Sequence, residues 1–90
     1  MFRVGVLGAT GAVGQEMMRV LEQREFPLRE VRLIASQRSA GRRLAMRGAL
    51  HEVTPVGPEA FEGLDLVLAS AGGSVSAKWA PVAVEQGAVV

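Results

Sequence analysis

The sequence predicts an α/β fold, in which helices cover both faces of an open parallel β-sheet. Three observations support this prediction. Short apolar runs recur at 3–7, 31–35 and 65–69, amphipathic segments follow the first and the last of them, and both transitions pass through glycine-rich turns. Because parallel strands need a crossover connection of roughly a dozen or more residues, usually a helix, this alternation is typical of repeated strand–helix units.

The first part of the chain predicts a strand–helix–strand unit. In the run 3–7 the apolar residues Val4, Val6 and Leu7 are interrupted only by Gly5, so both faces are expected to be buried, as in a central strand of a parallel sheet. From 12 to 24 the apolar residues recur with a helical period, and Pro27 ends this helix by about Glu25 because the residue before a proline avoids the helical conformation. The second strand is 31–35. The predicted apolar stripe of the helix consists of Val13, Met17, Val20 and Leu21.

The second part of the chain predicts a hairpin, a strand and a helix. Residues 44–53 carry a weak pattern for short strands or a hairpin around Gly48, and 65–69 is a buried strand. A helix then follows, and Pro81 inside it predicts a kink or a restart. Its predicted apolar stripe consists of Val75, Trp79, Val82 and Ala83. Residues 88–90 look like the start of another strand, so we expect the chain to be one domain, residues 1–90, of a longer polypeptide.

The composition is that of a globular protein. Hydrophobic residues make up 49% of the 90 residues and charged residues 21%, which excludes a disordered chain. A formal net charge of +1 gives no overall attraction to nucleic acid or to an anionic membrane. The lack of cysteine excludes, within these residues, a disulfide framework, a cysteine-based metal site and a cysteine nucleophile. Neither a signal peptide nor an apolar run near the ~20 residues needed to span a bilayer is present, so a cytoplasmic location is expected.

The strongest motif is the run Gly8-Ala9-Thr10-Gly11-Ala12-Val13-Gly14 between the first strand and the first helix. Gly8 allows a tight turn, Gly11 lets the backbone approach a pyrophosphate, and Gly14 lets the helix pack closely on the sheet. The N–H groups that begin the helix can then bind phosphate oxygens. An ordinary turn with incidental glycines is the alternative, but the regular spacing in this context favours a Rossmann-like dinucleotide site that includes all three glycines.

The segment after the second strand predicts which dinucleotide is bound. Enzymes that use NAD place an Asp or Glu there to accept hydrogen bonds from the ribose hydroxyls. This chain instead has Ser36-Gln37-Arg38-Ser39. A guanidinium binds phosphate in a bidentate manner, and the serine hydroxyls can donate to phosphate oxygens. We therefore expect NADP rather than NAD, the alternative being that Arg38 is a solvated loop residue.

A second glycine-rich turn, Ser70-Ala71-Gly72-Gly73-Ser74, follows the strand at 65–69. We expect it at the carboxyl edge of the sheet, where ligands of open α/β folds bind. Gly72 and Gly73 are interpreted as cofactor contacts, whereas Ser74 is more consistent with a helix N-cap.

Three separated segments of the chain share the pattern of one enzyme family. They are 6–17 (VLGATGAVGQEM), 33–41 (LIASQRSAG) and 61–65 (FEGLD) leading into 70–76 (SAGGSVS). In this order, and over the whole chain, they resemble bacterial aspartate-β-semialdehyde dehydrogenases. The resemblance implies cofactor contacts at Thr10, Gly11, Ala12 and Val13 in the first loop, at Ser36, Arg38 and Ser39 for the 2′-phosphate, and at Ser70, Ala71 and Gly72 in the third loop.

The resemblance implies an NADP-dependent oxidoreductase that supplies lysine (through diaminopimelate), threonine and methionine biosynthesis. Full-length members, expected as dimers or tetramers, interconvert L-aspartyl-4-phosphate and NADPH with L-aspartate-4-semialdehyde, NADP and phosphate through a cysteine thioester. The family's cysteine, catalytic histidine and substrate arginines lie in later parts of its chain. His51 has no acidic or nucleophilic partner nearby in sequence and is interpreted as a surface or edge-strand residue. We therefore assign no catalytic or metal-binding residue and expect the 90 residues alone to bind NADP(H) but to be inactive.

Two other functions are consistent with parts of this pattern. N-acetyl-γ-glutamyl-phosphate reductases share the chemistry and a similar opening loop, but usually carry a third loop richer in Pro-His-Gly than the one at 70–76. A non-catalytic NADP-sensing module is the alternative from a different class.

Overall fold

Four strands form one parallel sheet, which confirms the predicted fold class. The computed structural model describes residues 2–46, 48–69 and 73–90, and in the last range it describes side chains from residue 77 onward. The strands of the sheet are β1 (Phe2–Leu7), β2 (Leu28–Ala35), β5 (Thr54–Pro55) and β6 (Leu66–Ala69). Their order is β5–β2–β1–β6, and Val89 adds one parallel bridge to Leu66 beyond β6.

In the described ranges, the remaining elements are two α-helices, two short 3-10 turns and an antiparallel hairpin. They are α1 (Ala12–Gln23), α2 (Gly73–Glu85), the turns Gln37–Ser39 and Pro58–Phe61, and the hairpin strands β3 (Arg43–Met46) and β4 (Ala49–Glu52). The hairpin predicted around Gly48 is therefore confirmed. Within the described parts of the chain, neither helix has the length and apolar character needed to cross a membrane.

One helix covers each face of the sheet, because successive side chains of a strand point to opposite faces. The core on the α1 side includes Val4, Val6, Met18, Leu21, Leu33 and Met46. The core on the α2 side includes Leu7, Ile34, Phe61, Val67 and Ala83. In this second core the ring of Phe61 stacks on that of Trp79, with 5.9 Å between their centroids. The central strands are thus buried on both faces, as their apolar sequences predict.

The buried face of α1 differs from the predicted apolar stripe. Its buried residues are Gly14, Met18 and Leu21, whereas Val13 is 59% exposed and Val20 is 39% exposed. The helix approaches the sheet through Gly14. Gly14 and Met18 therefore point inward, each one position later in the chain than the predicted Val13 and Met17. Periodicity of apolar residues could not predict this, because glycine contributes nothing to a hydrophobic pattern.

Two other element predictions are corrected by the structure. Strand β2 begins at Leu28 rather than at 31, because Phe2 at the start of β1 already pairs with Leu28. The polar residues at 29 and 30 conceal this start in the sequence. Helix α2 continues as one helix through Pro81, so the predicted restart is wrong. Pro81 is exposed and Ala83 is buried in the core, which allows packing to hold the helix together despite one missing N–H donor.

Arg32 links the sheet to the connection between β5 and β6. Its Nη1 donates to the carbonyl oxygens of Ala60 at 2.9 Å and Glu62 at 2.7 Å. Its Nε and Nη2 both donate to a carboxylate oxygen of Glu30, at 3.1 and 2.9 Å. One half-buried guanidinium therefore holds the end of the Pro58–Phe61 turn against β2.

Replacing Arg32 by methionine is expected to lower the free energy of unfolding by about 1–2 kcal/mol, because two carbonyl groups lose a charged donor. Urea unfolding followed by circular dichroism measures this change. The matched control is Arg29→Met, which removes the same charge at an exposed position of the same strand. Surface changes of that kind are usually within about 0.5 kcal/mol, so equal losses for the two variants would contradict the role of Arg32.

Candidate functional site

The carboxyl ends of three neighbouring strands meet at one edge of the sheet. Leu7 at the end of β1 pairs with Ile34 in β2 and with Ala69 at the end of β6. The chain winds from β1 towards β2 and β5 on one side, and β6 lies on the other side of β1. In open α/β sheets, ligands bind outside the carboxyl ends of the strands at the point where the winding reverses. This edge of the sheet is therefore the candidate site.

The turn after β1 is folded onto the end of β2. The backbone N–H groups of Gly8 and Ala9 both donate to the carbonyl oxygen of Ile34, at 2.8 and 3.2 Å. The N–H of Gly11 donates back to the carbonyl oxygen of Gly8 at 3.1 Å. Gly8 has a φ of 87°, in the left-handed region that L side chains rarely adopt. The tight turn predicted at this glycine is thus present.

The other two glycines of the motif differ in what the fold requires of them. A Cβ on Gly14 would overlap the carbonyl oxygen of Gly8 and would lie 2.8 Å from the Cα of Ala9. A Cβ on Gly11 would meet only the carbonyl oxygen of Gly8, at 3.5 Å, which is an ordinary contact. The protein itself therefore requires glycine at Gly14 for helix packing. At the exposed Gly11, a side chain would instead occupy the outer surface of the turn.

The first turn of α1 presents backbone N–H groups at this edge. The first bond within the helix runs from the N–H of Gln15 to the carbonyl oxygen of Gly11, at 3.0 Å. The N–H groups that precede it, including those of Ala12 and Val13, have no acceptor within an α-helix. Both of these residues are exposed, and the first turn contains no acidic side chain. The helix dipole adds to these donors, so this end of α1 favours an anion.

The structure brings the second predicted motif against the first. Ser36 follows directly after β2, and Gln37–Ser39 forms the 3-10 turn. The hydroxyl of Thr10 lies 3.4 Å from the hydroxyl of Ser39, although the two residues are 29 positions apart in the sequence. Arg38 is exposed at the neighbouring position and makes no hydrogen bond or ion pair with the described part of the chain. The Ser39 hydroxyl therefore lies against the glycine turn, and the exposed Arg38 is its neighbour in the sequence.

The sequence of this fold and site matches one family of proteins. The family model described as "Semialdehyde dehydrogenase, NAD binding domain" matches residues 3–90. The chain belongs to this semialdehyde dehydrogenase family. The resemblance carried by the three sequence motifs is thereby confirmed.

Relatives of this semialdehyde dehydrogenase domain share its sequence closely. The aspartate-semialdehyde dehydrogenase of Prochlorococcus marinus is 54% identical over 87 residues, which are 97% of this chain and 25% of the relative. That of Bacillus subtilis is 49% identical over 87 residues, with the same two coverages. The crystal structure of aspartate semialdehyde dehydrogenase II from Vibrio cholerae, complexed with ASA, superposes with a TM-score of 0.96 at 47% identity and covers 100% of this chain and 29% of its own. The chain thus spans about a quarter of the length of the curated relatives it matches.

Gln15 contacts the glycine turn of the candidate site, a contact that the sequence did not identify. Its Nε2 donates to the carbonyl oxygen of Thr10 at 3.1 Å, which braces the glycine turn from the helix side. In the sequence it is one of several polar residues on the outer side of the helix. The only signal that could have identified it is its position, one residue after the last glycine of the motif.

The remaining residues that the sequence predicts for the site are described only in part. Ser70, Ala71 and Gly72 lie outside the described residues, as does the side chain of Ser74. The chain enters their segment from Ala69, at the same sheet edge as the glycine turn.

His51 lies away from the candidate site, in the hairpin. It is half-buried on β4, with its Nε2 3.3 Å from the carbonyl oxygen of Met46, which agrees with the predicted edge-strand position. Among the described residues no group of three or more histidine, aspartate or glutamate side chains could hold a metal ion.

Proposed function

We propose that this chain is the NADP(H)-binding portion of an aspartate-semialdehyde dehydrogenase. In that enzyme, L-aspartyl-4-phosphate and NADPH are interconverted with L-aspartate-4-semialdehyde, NADP and phosphate. The observation that carries the proposal is the contact between the glycine turn and the Ser36–Ser39 segment, at the carboxyl edge of the sheet. One surface thereby offers donors for a pyrophosphate and for a second phosphate group. The relatives that match the chain carry the name of this enzyme, which favours it over an N-acetyl-γ-glutamyl-phosphate reductase.

Binding of the pyrophosphate is supported by the backbone at the start of α1. The N–H groups of Ala12 and Val13 open the helix at an exposed position. The lack of a side chain at Gly11 leaves the outside of the turn accessible to phosphate oxygens. A helix N-terminus of this kind is a common anion site in nucleotide-binding folds. In this proposal, Gly8 and Gly14 contribute by shaping the turn and the helix contact.

The preference for NADP over NAD is supported by the residues that follow β2. The first residues beyond Ala35 are Ser36, Gln37, Arg38 and Ser39, with no carboxylate among them. A carboxylate there would accept hydrogen bonds from the 2′-hydroxyl of NAD and would repel a 2′-phosphate. A guanidinium instead offers paired N–H donors to phosphate oxygens. The family description names NAD binding in general, so this choice rests on the side chains.

The bound nicotinamide would supply or accept the hydride of the reaction. The part of this chain is to hold and orient the dinucleotide at the sheet edge, with Ser70, Ala71 and Gly72 as the proposed third contact segment. The thioester step needs a cysteine thiol, and these 90 residues contain no cysteine. We therefore propose that the chain alone binds NADP(H) without turning over aspartate semialdehyde.

Titration with NADPH and NADH tests the proposal directly. The chain contains one tryptophan, Trp79, whose emission reports binding together with the fluorescence of the reduced nicotinamide. We expect saturable binding of NADPH and at least tenfold weaker binding of NADH, because charged hydrogen bonds to the 2′-phosphate contribute about 1.5–3 kcal/mol. If a folded sample bound neither dinucleotide, the proposed function would be wrong.

A further inference from the structure

Two hydroxyl groups connect the glycine turn with the turn that carries Arg38. The Thr10 hydroxyl donates to the Ser39 Oγ at 3.4 Å, and both residues are half-buried. Hydrogen bonds between hydroxyls usually measure about 2.7–2.8 Å. The contact is therefore too long to contribute much to stability. The consequence of the contact that concerns a ligand is the orientation of the Ser39 O–H group.

The hydrogen-bonding capacity of Ser39 leaves one donor available. A hydroxyl has one proton to donate and two lone pairs to accept with. With the Thr10 hydroxyl as the donor of this pair, the Ser39 Oγ is the acceptor and its own proton remains for another acceptor. The backbone N–H of Ser39 is already bonded to the carbonyl oxygen of Ser36, at 2.9 Å.

We propose that Thr10 is a positioning residue for recognition of the 2′-phosphate of NADP(H), acting through Ser39. Its hydroxyl orients the Ser39 Oγ as a donor to a phosphate oxygen beside the Arg38 guanidinium. This inference rests on the proposed function. It gives Thr10 two separate roles, because its backbone belongs to the pyrophosphate turn whereas its side chain contributes to the choice between the two dinucleotides.

The backbone of Thr10 is held independently of its hydroxyl. The Gln15 Nε2 donates to the Thr10 carbonyl oxygen at 3.1 Å, and the adjacent Gly11 N–H is bonded to Gly8. The substitution Thr10→Val keeps the β-branched shape and replaces the hydroxyl by a methyl group. The substitution Thr10→Ser keeps the hydroxyl. These two variants separate the effect of the hydroxyl from the effect of the turn.

The test is a double-mutant cycle on Thr10→Val and Ser39→Ala, with adenosine 2′,5′-bisphosphate and 5′-ADP as ligands. Only the first of these ligands carries the 2′-phosphate. Calorimetric titration of the folded chain should show that Thr10→Val weakens the bisphosphate about threefold to fivefold more than 5′-ADP. Ser39→Ala should produce a selective loss of about tenfold. Adding Thr10→Val to Ser39→Ala should produce less than a twofold further selective loss, and Thr10→Ser should restore selectivity.

Each other outcome contradicts the inference in a recognisable way. Equal losses of both ligands in Thr10→Val would place the threonine at the pyrophosphate alone. A full selective loss that persists in the Ser39→Ala background would show that Thr10 does not act through Ser39. The matched control is Gln15→Ala, which loosens the turn without touching either hydroxyl and should weaken both ligands in parallel. A folded wild-type chain that bound neither ligand would overturn the proposed function together with this inference.

Discussion

Replacing Gly14 by alanine is expected to lower the free energy of unfolding by about 3 kcal/mol, at the upper end of overpacking effects. The new Cβ would overlap the carbonyl oxygen of Gly8 and crowd the Cα of Ala9. These are main-chain atoms of a turn that is bonded to Ile34, so they cannot move aside as the end of a flexible side chain can. The expected sign is opposite to intrinsic helix propensity, which favours alanine over glycine by about 1 kcal/mol.

Urea unfolding of three alanine variants checks this prediction against matched positions. Gly11→Ala should change the free energy of unfolding by less than about 0.5 kcal/mol, because its Cβ meets only an ordinary contact at 3.5 Å. Gly5→Ala should cost about 1 kcal/mol, since its Cβ would lie 2.6 Å from the Cδ1 of Leu64, the movable end of a side chain. If Gly14→Ala were as stable as the wild type, the close approach of α1 to the turn would be incorrect.

Replacing Arg38 by alanine is expected to weaken NADPH binding about tenfold to a hundredfold while changing NADH binding less than twofold. Arg38 is exposed and adjacent in sequence to Ser39, which contacts the glycine turn, and charged hydrogen bonds of the kind it would donate contribute about 1.5–3 kcal/mol. NADH lacks the 2′-phosphate, so its binding has no such contact to lose. Parallel titrations of the two dinucleotides measure the difference.

Two further variants show whether the effect of Arg38 is local. Arg29→Ala removes the same charge near the opposite end of β2, roughly 20 Å away along the strand, and should leave both affinities unchanged. Arg38→Lys keeps the charge without the bidentate geometry and should retain part of the affinity. The selective loss should also shrink at high salt, because exposed charges are screened. Equal losses of NADPH and NADH in Arg38→Ala would remove this residue from a 2′-phosphate site.

The parts of the fold that the sequence predicted well are those determined by local pattern. Strand β1 is apolar and buried on both faces from Val4 to Leu7, β6 is an apolar run in which Val67 is buried and the other residues are half-buried, and the first turn is marked by its glycines. The face of α1 was predicted incorrectly because Gly14, rather than Val13, approaches the sheet. The period of the apolar residues did not reveal this face, whereas the glycine motif had indicated the close packing at Gly14.

The parts that the sequence did not predict depend on contacts between distant segments. Strand β5 has two residues, and it is a strand only because Thr54 and Pro55 pair with the end of β2. The roles of Arg32 and Gln15 depend on carbonyl groups that only the folded chain brings near them. The site was predicted as three separate motifs, but the proximity of Thr10 to Ser39 follows from the register of β1 against β2.

The order of strands has a consequence for the synthesis of the protein. Strand β1 leaves the ribosome before either of its neighbours, yet it occupies the middle of the sheet. Its backbone partner Asp65 is 62 positions further along, so one edge of an apolar strand stays uncovered until most of the domain has been translated. Contacts of such long range slow folding, and an uncovered edge is open to pairing with other chains. The nascent domain is therefore open to such pairing for longer than a domain built from neighbouring hairpins would be.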